Sequence, residues 1–442
     1  MENNKKYGLF TSVTMIIGIV VGSGIFFKAD DVLTYTNGNV ILGILIFCIA
    51  AIAIIFGSLS VSQLATRTDN PGGIITYAEE FVNKETASAF GWFQVFLYLP
   101  SIIAVVSWVS GIYICQLFNI QEGILNPYTI GIIVIVLCYL INILSAKFGG
   151  YVQNISMIIK LIPLILFAIF GLIKGEPQEI LIKDIDNIKT AGISLGILAA
   201  FAPIAFSFDG WIISTSICHE IKNSKRNLPM ALIISPIIIL LVYISYFVGV
   251  SIFVGPENVL ELGDSSVNQM ANTLFGPIGA KIILIFVIIS VLGTVNGVVL
   301  GMIRMPYSLG IRNIVPFSKQ LSKESKSLKG MPLNSAIFSV IITLIWYAIH
   351  YITQKNGMPG DVSEIAICVG YLNYCVLYIV IIKLAIKGEI KNKFMGYFVP
   401  FMAMIGSLII LSGGFNNPLF IYYLIICFVV MLCGYFYYKV TK

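Results

Sequence analysis

Apolar runs of about twenty residues or more, each bounded by charge, proline or glycine, recur twelve times along this chain. They lie near 9–33, 39–64, 86–117, 126–145, 149–173, 191–218, 230–254, 276–304, 334–353, 361–385, 394–414 and 417–438. A helix crossing a bilayer takes about 20 apolar residues, so twelve of them absorb roughly 240 positions before flanks are counted. In a chain of 442 residues almost nothing remains for a soluble domain. Only 11% of the residues are charged, against roughly 25% in an ordinary soluble domain. The runs are long and continuous and lack the period-two alternation of barrel strands. The expectation is an all-α membrane protein of 12 transmembrane helices, in one domain over residues 1–442.

Orientation follows from the basic residues. With the N-terminus inside, the cytoplasmic segments hold 20 of the 27 lysines and arginines. The outer segments hold Lys28, Lys174, Lys183, Lys189 and Lys355, and Lys160 and Lys281 fall within spans. Basic residues favour the cytoplasmic side, so both termini are expected there. The net charge of +6 is then a topology signal and no mark of a nucleic-acid partner. Lys319, Lys323, Lys326 and Lys329 read as a solvated inner loop, with contact to anionic lipid as the alternative. Lys5 and Lys6 precede an apolar stretch that runs on well past the length of a signal-peptide core, so it reads as the first span. The eight cysteines are scattered singly, without a CxxC, and read as buried thiols; no metal or cofactor is expected.

Two spans are interrupted. The first carries Gly22-Ser23-Gly24 at its middle, and the sixth carries Ser207-Phe208-Asp209-Gly210. Five helices separate the two starts, so they enter from opposite sides. That is the pattern of two inverted five-helix repeats, about 9–173 and 191–385, followed by two extra helices over 394–438. Interrupted helices at matching positions of inverted repeats point to a transporter binding site. A break frees N–H groups at the start of the second half-helix, which suit a carboxylate. It frees carbonyls at the end of the first half, which suit an ammonium group. An α-amino acid presents both. Gly22, Ser23 and Gly24 would take the carboxylate, and carbonyls near Val20, Val21 and Phe206, Ser207 and Phe208 would take the amine. The competing reading for span 1 is close helix packing, because Gly18 and Gly22 also form a GxxxG pair.

Lys160 sits near the centre of span 5 and Asp209 in the break of span 6. Ionisable groups at such depth usually mark function. Lys160 could be a fixed ammonium standing where a coupling sodium would sit, or a proton carrier, or the ion-pair partner of Asp209. Phe206 and Trp211 flank the break and are candidate gates. Asn296, in Gly293-Thr294-Val295-Asn296-Gly297, either lines the pocket or makes an interhelical hydrogen bond. Enzyme chemistry finds no footing: the two histidines, His219 at an inner helix end and His350 near the outer surface, belong to no HExxH, and there is no GxSxG or P-loop.

Val21-Gly22-Ser23-Gly24-Ile25-Phe26 resembles the span 1 signature of the amino acid–polyamine–organocation superfamily, whose fold is the LeuT type with broken helices 1 and 6. Asn70-Pro71-Gly72-Gly73, with Tyr77 and Glu79, looks like its re-entrant loop after span 2. Phe206-Ser207-Phe208-Asp209-Gly210-Trp211 is similar to the unwound part of span 6 in the L-type amino acid transporter branch. Glu220-Ile221-Lys222-Asn223 and Arg226-Asn227-Leu228-Pro229 look like that branch's inner signature after span 6. The motifs cover about the first 320 residues, in order.

The resemblance implies sodium-independent movement of amino acids by alternating access, often as obligatory exchange. It implies the carboxylate role for Gly22, Ser23 and Gly24, amine binding and gating for Phe206, and the sodium-replacing role for Lys160. Bacterial members resembling this chain include alanine-serine-cysteine exchangers, which favours small neutral substrates. Animal L-type carriers join an ancillary glycoprotein through a cysteine in the loop after span 3. Here Asn119 to Asn126 holds none and Cys115 looks intrahelical, so no disulfide-linked subunit is expected. Asp209 stands where some relatives have glycine, a change that could admit polar or cationic side chains. The expectation is a bacterial cytoplasmic-membrane exchanger of neutral amino acids, with a proton-coupled importer or a non-transporting sensor as alternatives.

Overall fold

Within a bilayer the backbone must satisfy its own hydrogen bonds, and every apolar run covered by the described residues is helical. The structure is a computed structural model that describes residues 8–22, 24–68, 70, 73–120, 123–144, 159–192, 194–212, 221–325, 330–358 and 360–441. In chain order the helices are α1 (Leu9–Val20), α2 (Gly24–Tyr35), α3 (Val40–Ala65), α4 (Ile74–Phe81), α5 (Lys84–Phe118) and α6 (Pro127–Leu144). There follow α7 (Leu161–Lys174), α8 (Pro177–Ala191), α9 (Leu195–Ser207), α10 (Ser224–Val254), α11 (Pro256–Leu262) and α12 (Ser266–Ile311). The chain ends with α13 (Ser318–Leu321), α14 (Leu333–Lys355), α15 (Val362–Ile386), α16 (Phe394–Phe415) and α17 (Phe420–Thr441).

Among the described residues nine helices are long and apolar enough to cross a membrane, or up to eleven if the bent pairs α1–α2 and α7–α8 each count as one span. The expected twelve is not reached there. The first part of expected span 5 (149–158) and the end of span 6 (213–218) lie outside the described residues, together with His219, Glu220, Pro71 and Gly72. Elsewhere the expected bounds hold closely, as for 39–64 against Val40–Ala65. Two departures have local causes. Gly276, the expected start of span 8, is a kink at φ 68° inside a helix that already begins at Ser266. The segment after span 5 forms a further helix, α8, of mixed polarity. Its Asp184 accepts hydrogen bonds from the Val40 and Ile41 N–H groups at 2.8 and 3.2 Å, so it serves the open N-terminus of α3. Beside it Lys183 meets Glu257 at 2.6 Å, and that hydrogen-bonded ammonium holds the Glu257 carboxyl below its ordinary range.

By contact the chain divides into two units, each built from separated stretches. One comprises Met1–Val82, Ile162–Ala280 and Ile367–Pro418; the other comprises Asn83–Leu161, Lys281–Ala366 and Leu419–Lys442. In the first, α3 packs on α10 and α16, α1 on α10, and α2 on α9. Small residues permit close approach: no Cβ fits at Gly406 against Ala53, or at Gly171 against the Gly249 backbone. In the second unit α5 packs on α6, α14 and α17.

Prolines inside the spans leave a recurring mark. A proline has no N–H, so the carbonyl four residues before it loses its helical donor. Pro100 strips the Phe96 carbonyl, which instead accepts from Trp346 Nε1 at 2.7 Å. Pro236 strips that of Leu232, which accepts from Ser58 Oγ at 3.1 Å. Pro306 strips that of Met302, which accepts from Ser339 Oγ at 3.0 Å. In each case a neighbouring helix of the same unit supplies the donor, turning a local defect into an interhelical tie.

Candidate functional site: two broken helices in one unit

Helix α1 stops at Val20. Val21 N–H still reaches the Ile17 carbonyl at 2.8 Å, but its backbone is extended (φ −67°, ψ 107°), and the helix resumes at Gly24 bent by 59°. Ser23 lies outside the described residues; Val20, Val21, Gly22 and Gly24 are buried. The N–H groups of the first turn of α2 have no preceding helical carbonyl to bond to. Helix α9 ends at Ser207 in a turn: Phe208 N–H bonds the Ile204 carbonyl at 3.0 Å and Asp209 N–H that of Phe206 at 3.1 Å. Gly210 takes φ 97°, a conformation open to glycine, and leans on Ile19 at the end of α1.

The two breaks meet. A Cβ on Gly24 would fall 2.8 Å from Ser207 Cα and 2.9 Å from Phe206 Cδ1, so glycine at 24 lets the start of α2 touch the end of α9. Tyr243, fully buried on α10, joins them from behind. Its hydroxyl lies 2.9 Å from the Ser207 carbonyl and 3.3 Å from that of Val20. One proton thus serves carbonyls from both broken helices. Sequence reasoning missed this residue. The signal was a tyrosine in the middle of an apolar run, where a phenol needs a partner.

The aromatic residues around the sixth-span break diverge. Phe206 meets Phe27 edge-on at 5.3 Å between centroids. Phe208 packs on Tyr243 at 5.1 Å and on Phe47 at 6.4 Å. Trp211 is buried against Tyr374 at 5.2 Å, beside Gly57 of α3. Asp209 is partly exposed and within electrostatic reach of Tyr371.

Lys160 and Asn296 belong to the other unit. Lys160 is 4% exposed and stands one residue before α7. Asn296 accepts a hydrogen bond from Asn142 Nδ2 at 2.8 Å, so it ties α12 to α6, one of the two roles expected for it. Asn142, another residue the sequence reading passed over, also donates to the Cys138 carbonyl. His350 is fully buried, edge-on to Trp108 at 4.8 Å, and Cys115 is buried within α5. No cluster of three or more His, Cys, Asp or Glu side chains fit to hold a metal occurs among the described residues.

Residues 7–416 match the amino acid permease family. The chain belongs to that family. The permease is 30% identical over 413 residues to the serine/threonine exchanger SteT of Bacillus subtilis, covering 92% of this chain and 91% of the relative. It is 25% identical over 449 residues to the mouse (Mus musculus) b(0,+)-type amino acid transporter 1, covering 98% and 87%. It is 28% identical over 312 residues to the human (Homo sapiens) cystine/glutamate transporter, covering 70% and 61%. These relatives are transporters, and membership places the permease in the amino acid–polyamine–organocation superfamily, as its motifs suggested. Among solved structures it resembles MhsT in complex with L-phenylalanine, with a TM-score of 0.58 at 15% identity, over 91% of this chain and 98% of that one. That likeness shows the fold, which is the LeuT type. The permease is accordingly a multi-pass membrane protein of the amino acid transporter and exchanger class.

Proposed function

We propose that this permease is a sodium-independent exchanger of small neutral L-amino acids, with alanine, serine, cysteine and glycine as the substrates to try first and threonine beside them. One observation carries the reading: the broken ends of α1–α2 and α9 meet at Gly24 and Ser207, with Tyr243 holding a carbonyl of each. The helix-end N–H and carbonyl groups of both breaks are thereby close together, a combination that suits the two charged groups of an amino acid. Gly22, Ser23 and Gly24 take the carboxylate, and the carbonyls of Val20, Val21 and Phe206 to Phe208 take the amine. The serine/threonine exchanger of Bacillus subtilis supports both the substrate class and the exchange mode.

Phe206 and Trp211 gate the substrate. Asp209 lies beside it, and Lys160 supplies the fixed positive charge that replaces a coupling sodium. Transport proceeds by alternating access, one helix bundle rocking against another, through inverted repeats over about 9–173 and 191–385. The permease works without a disulfide-linked subunit in a bacterial cytoplasmic membrane, both termini inside. The test is uptake of a labelled amino acid panel into proteoliposomes, with and without unlabelled amino acid inside. Uptake confined to preloaded vesicles supports exchange. Uptake into empty vesicles that grows with an inward proton gradient replaces the exchanger with an importer in which Lys160 carries the proton. Binding without uptake makes the protein a sensor.

A further inference from the structure

Lys28 stood out in the sequence only as an outer flanking lysine, and its position in the structure is unexpected. It is 3% exposed, although a lysine near a span end ordinarily extends its ammonium to water. Its Nζ meets Asp31 Oδ2 at 3.1 Å, one turn further along α2, and the Asp31 side chain is 40% exposed. The same Nζ stands 5.3 Å from the centroid of the Phe27 ring and 5.8 Å from that of Phe206. Gly24, Phe27 and Lys28 fall on one helical face, at i, i+3 and i+4. That face bounds the Phe206 ring: the Gly24 backbone on one side, the edge-on Phe27 ring on another, and the Lys28 ammonium on a third.

We infer that Lys28, tethered by Asp31, is a positioning residue for the Phe206 side chain during transport. A close aromatic contact alone leaves a phenylalanine free to exchange one apolar neighbour for another. A cation at a ring is attracted by its quadrupole and fixes where the ring must be. Partial burial strengthens that attraction, and the charge-assisted contact with Asp31 aims the ammonium. Asp31 thus reaches the substrate region through two steps, carboxylate to ammonium and ammonium to ring. The inference rests on the reading of Phe206 as the residue that closes over substrate.

The test is a double-mutant cycle of Lys28→Met and Phe206→Leu in the full-length protein. Lys28→Met keeps an unbranched apolar stem and removes the charge. Two quantities are read: the KM for L-serine exchange in proteoliposomes, and the thermal unfolding midpoint of the purified protein in detergent. With Phe206 present, Lys28→Met is expected to raise KM by about 2- to 30-fold, the range of one cation–π contact. With leucine at 206 the same change should have little effect, and Lys28→Arg should restore the native KM because guanidinium also sits over aromatic rings. Equal losses in both backgrounds, or no rescue by arginine, overturn the inference, because a purely structural lysine does not depend on the ring. If the wild-type protein exchanges no amino acid, the proposed function fails separately. The placement of the ring is then judged on unfolding alone, where non-additivity upholds it and simple additivity overturns it. Phe206→Met replaces the leucine variant should the latter not fold.

Discussion

Interhelical ties to backbone carbonyls occur in both units, but the helix breaks described above set one unit apart. In the one holding α1, α2 and α9, helices stop short, and one tyrosine hydroxyl is spread over carbonyls from two helix ends. In the other, α5, α6, α14 and the part of α12 from Lys281 onward run through, and several of their polar groups are tied helix to helix: Asn142 to Asn296, Tyr139 to Thr343 at 2.9 Å, and Trp346 to the Phe96 carbonyl. A fully paired group is fixed, whereas a group with capacity left is available to a ligand. The difference separates helix ends whose carbonyls and N–H groups keep hydrogen-bonding capacity from continuous helices in which several polar groups are tied to a neighbour.

The comparison is broken most severely at Gly24. Gly24→Val sets a side chain against the Ser207 backbone, which no rotamer relieves, so amino acid exchange should fall to background in protein that remains monodisperse. Native exchange rates there would mean that α2 and α9 need not touch. Tyr243→Phe comes next. It leaves the Val20 and Ser207 carbonyls without their shared donor, a loss of about 1–3 kcal/mol for buried groups, and should lower the unfolding midpoint and raise the substrate KM together. If neither moves, the hydroxyl is a bystander.

Smaller effects belong to the continuous helices. Trp346→Phe removes the donor to Phe96 and should cost about 1 kcal/mol in unfolding free energy. Pro100→Ala returns an N–H to the helix, so the same tryptophan change should cost less in that background; equal costs would show that the proline does not create the vacancy. Smallest is the Asn142–Asn296 pair. Replacing each with alanine, singly and together, should reveal a coupling of about 0.6 kcal/mol, typical of hydrogen bonds between membrane helices. A coupling near zero would make the pair incidental.

Much of this was legible in advance because membrane helices are written in continuous apolar runs. The bounds of α3, α5, α6 and α17 follow from hydropathy to within a few residues. The breaks were legible because Gly22, Gly24 and Gly210 interrupt otherwise good helices. Lys28 was not. Its position suggested a lysine facing water at a span end, and the Phe206 ring that α9 brings to its ammonium comes from far along the chain. Helix α8 escaped too, since a polar surface helix carries no apolar run, and its role came from Asp184 meeting the start of α3.

The sequence by itself determined that the chain is helical and spans a membrane, which two spans are broken, and which prolines leave carbonyls without donors. Each of these depends on residues adjacent in the chain or one turn apart. Tertiary structure alone decided which group answers each vacancy: Trp346 for Phe96, Ser58 for Leu232, Ser339 for Met302, and Tyr243 for Val20 and Ser207. A hydrogen bond acts over about 3 Å, and residues far apart in sequence come within that distance only when their helices pack.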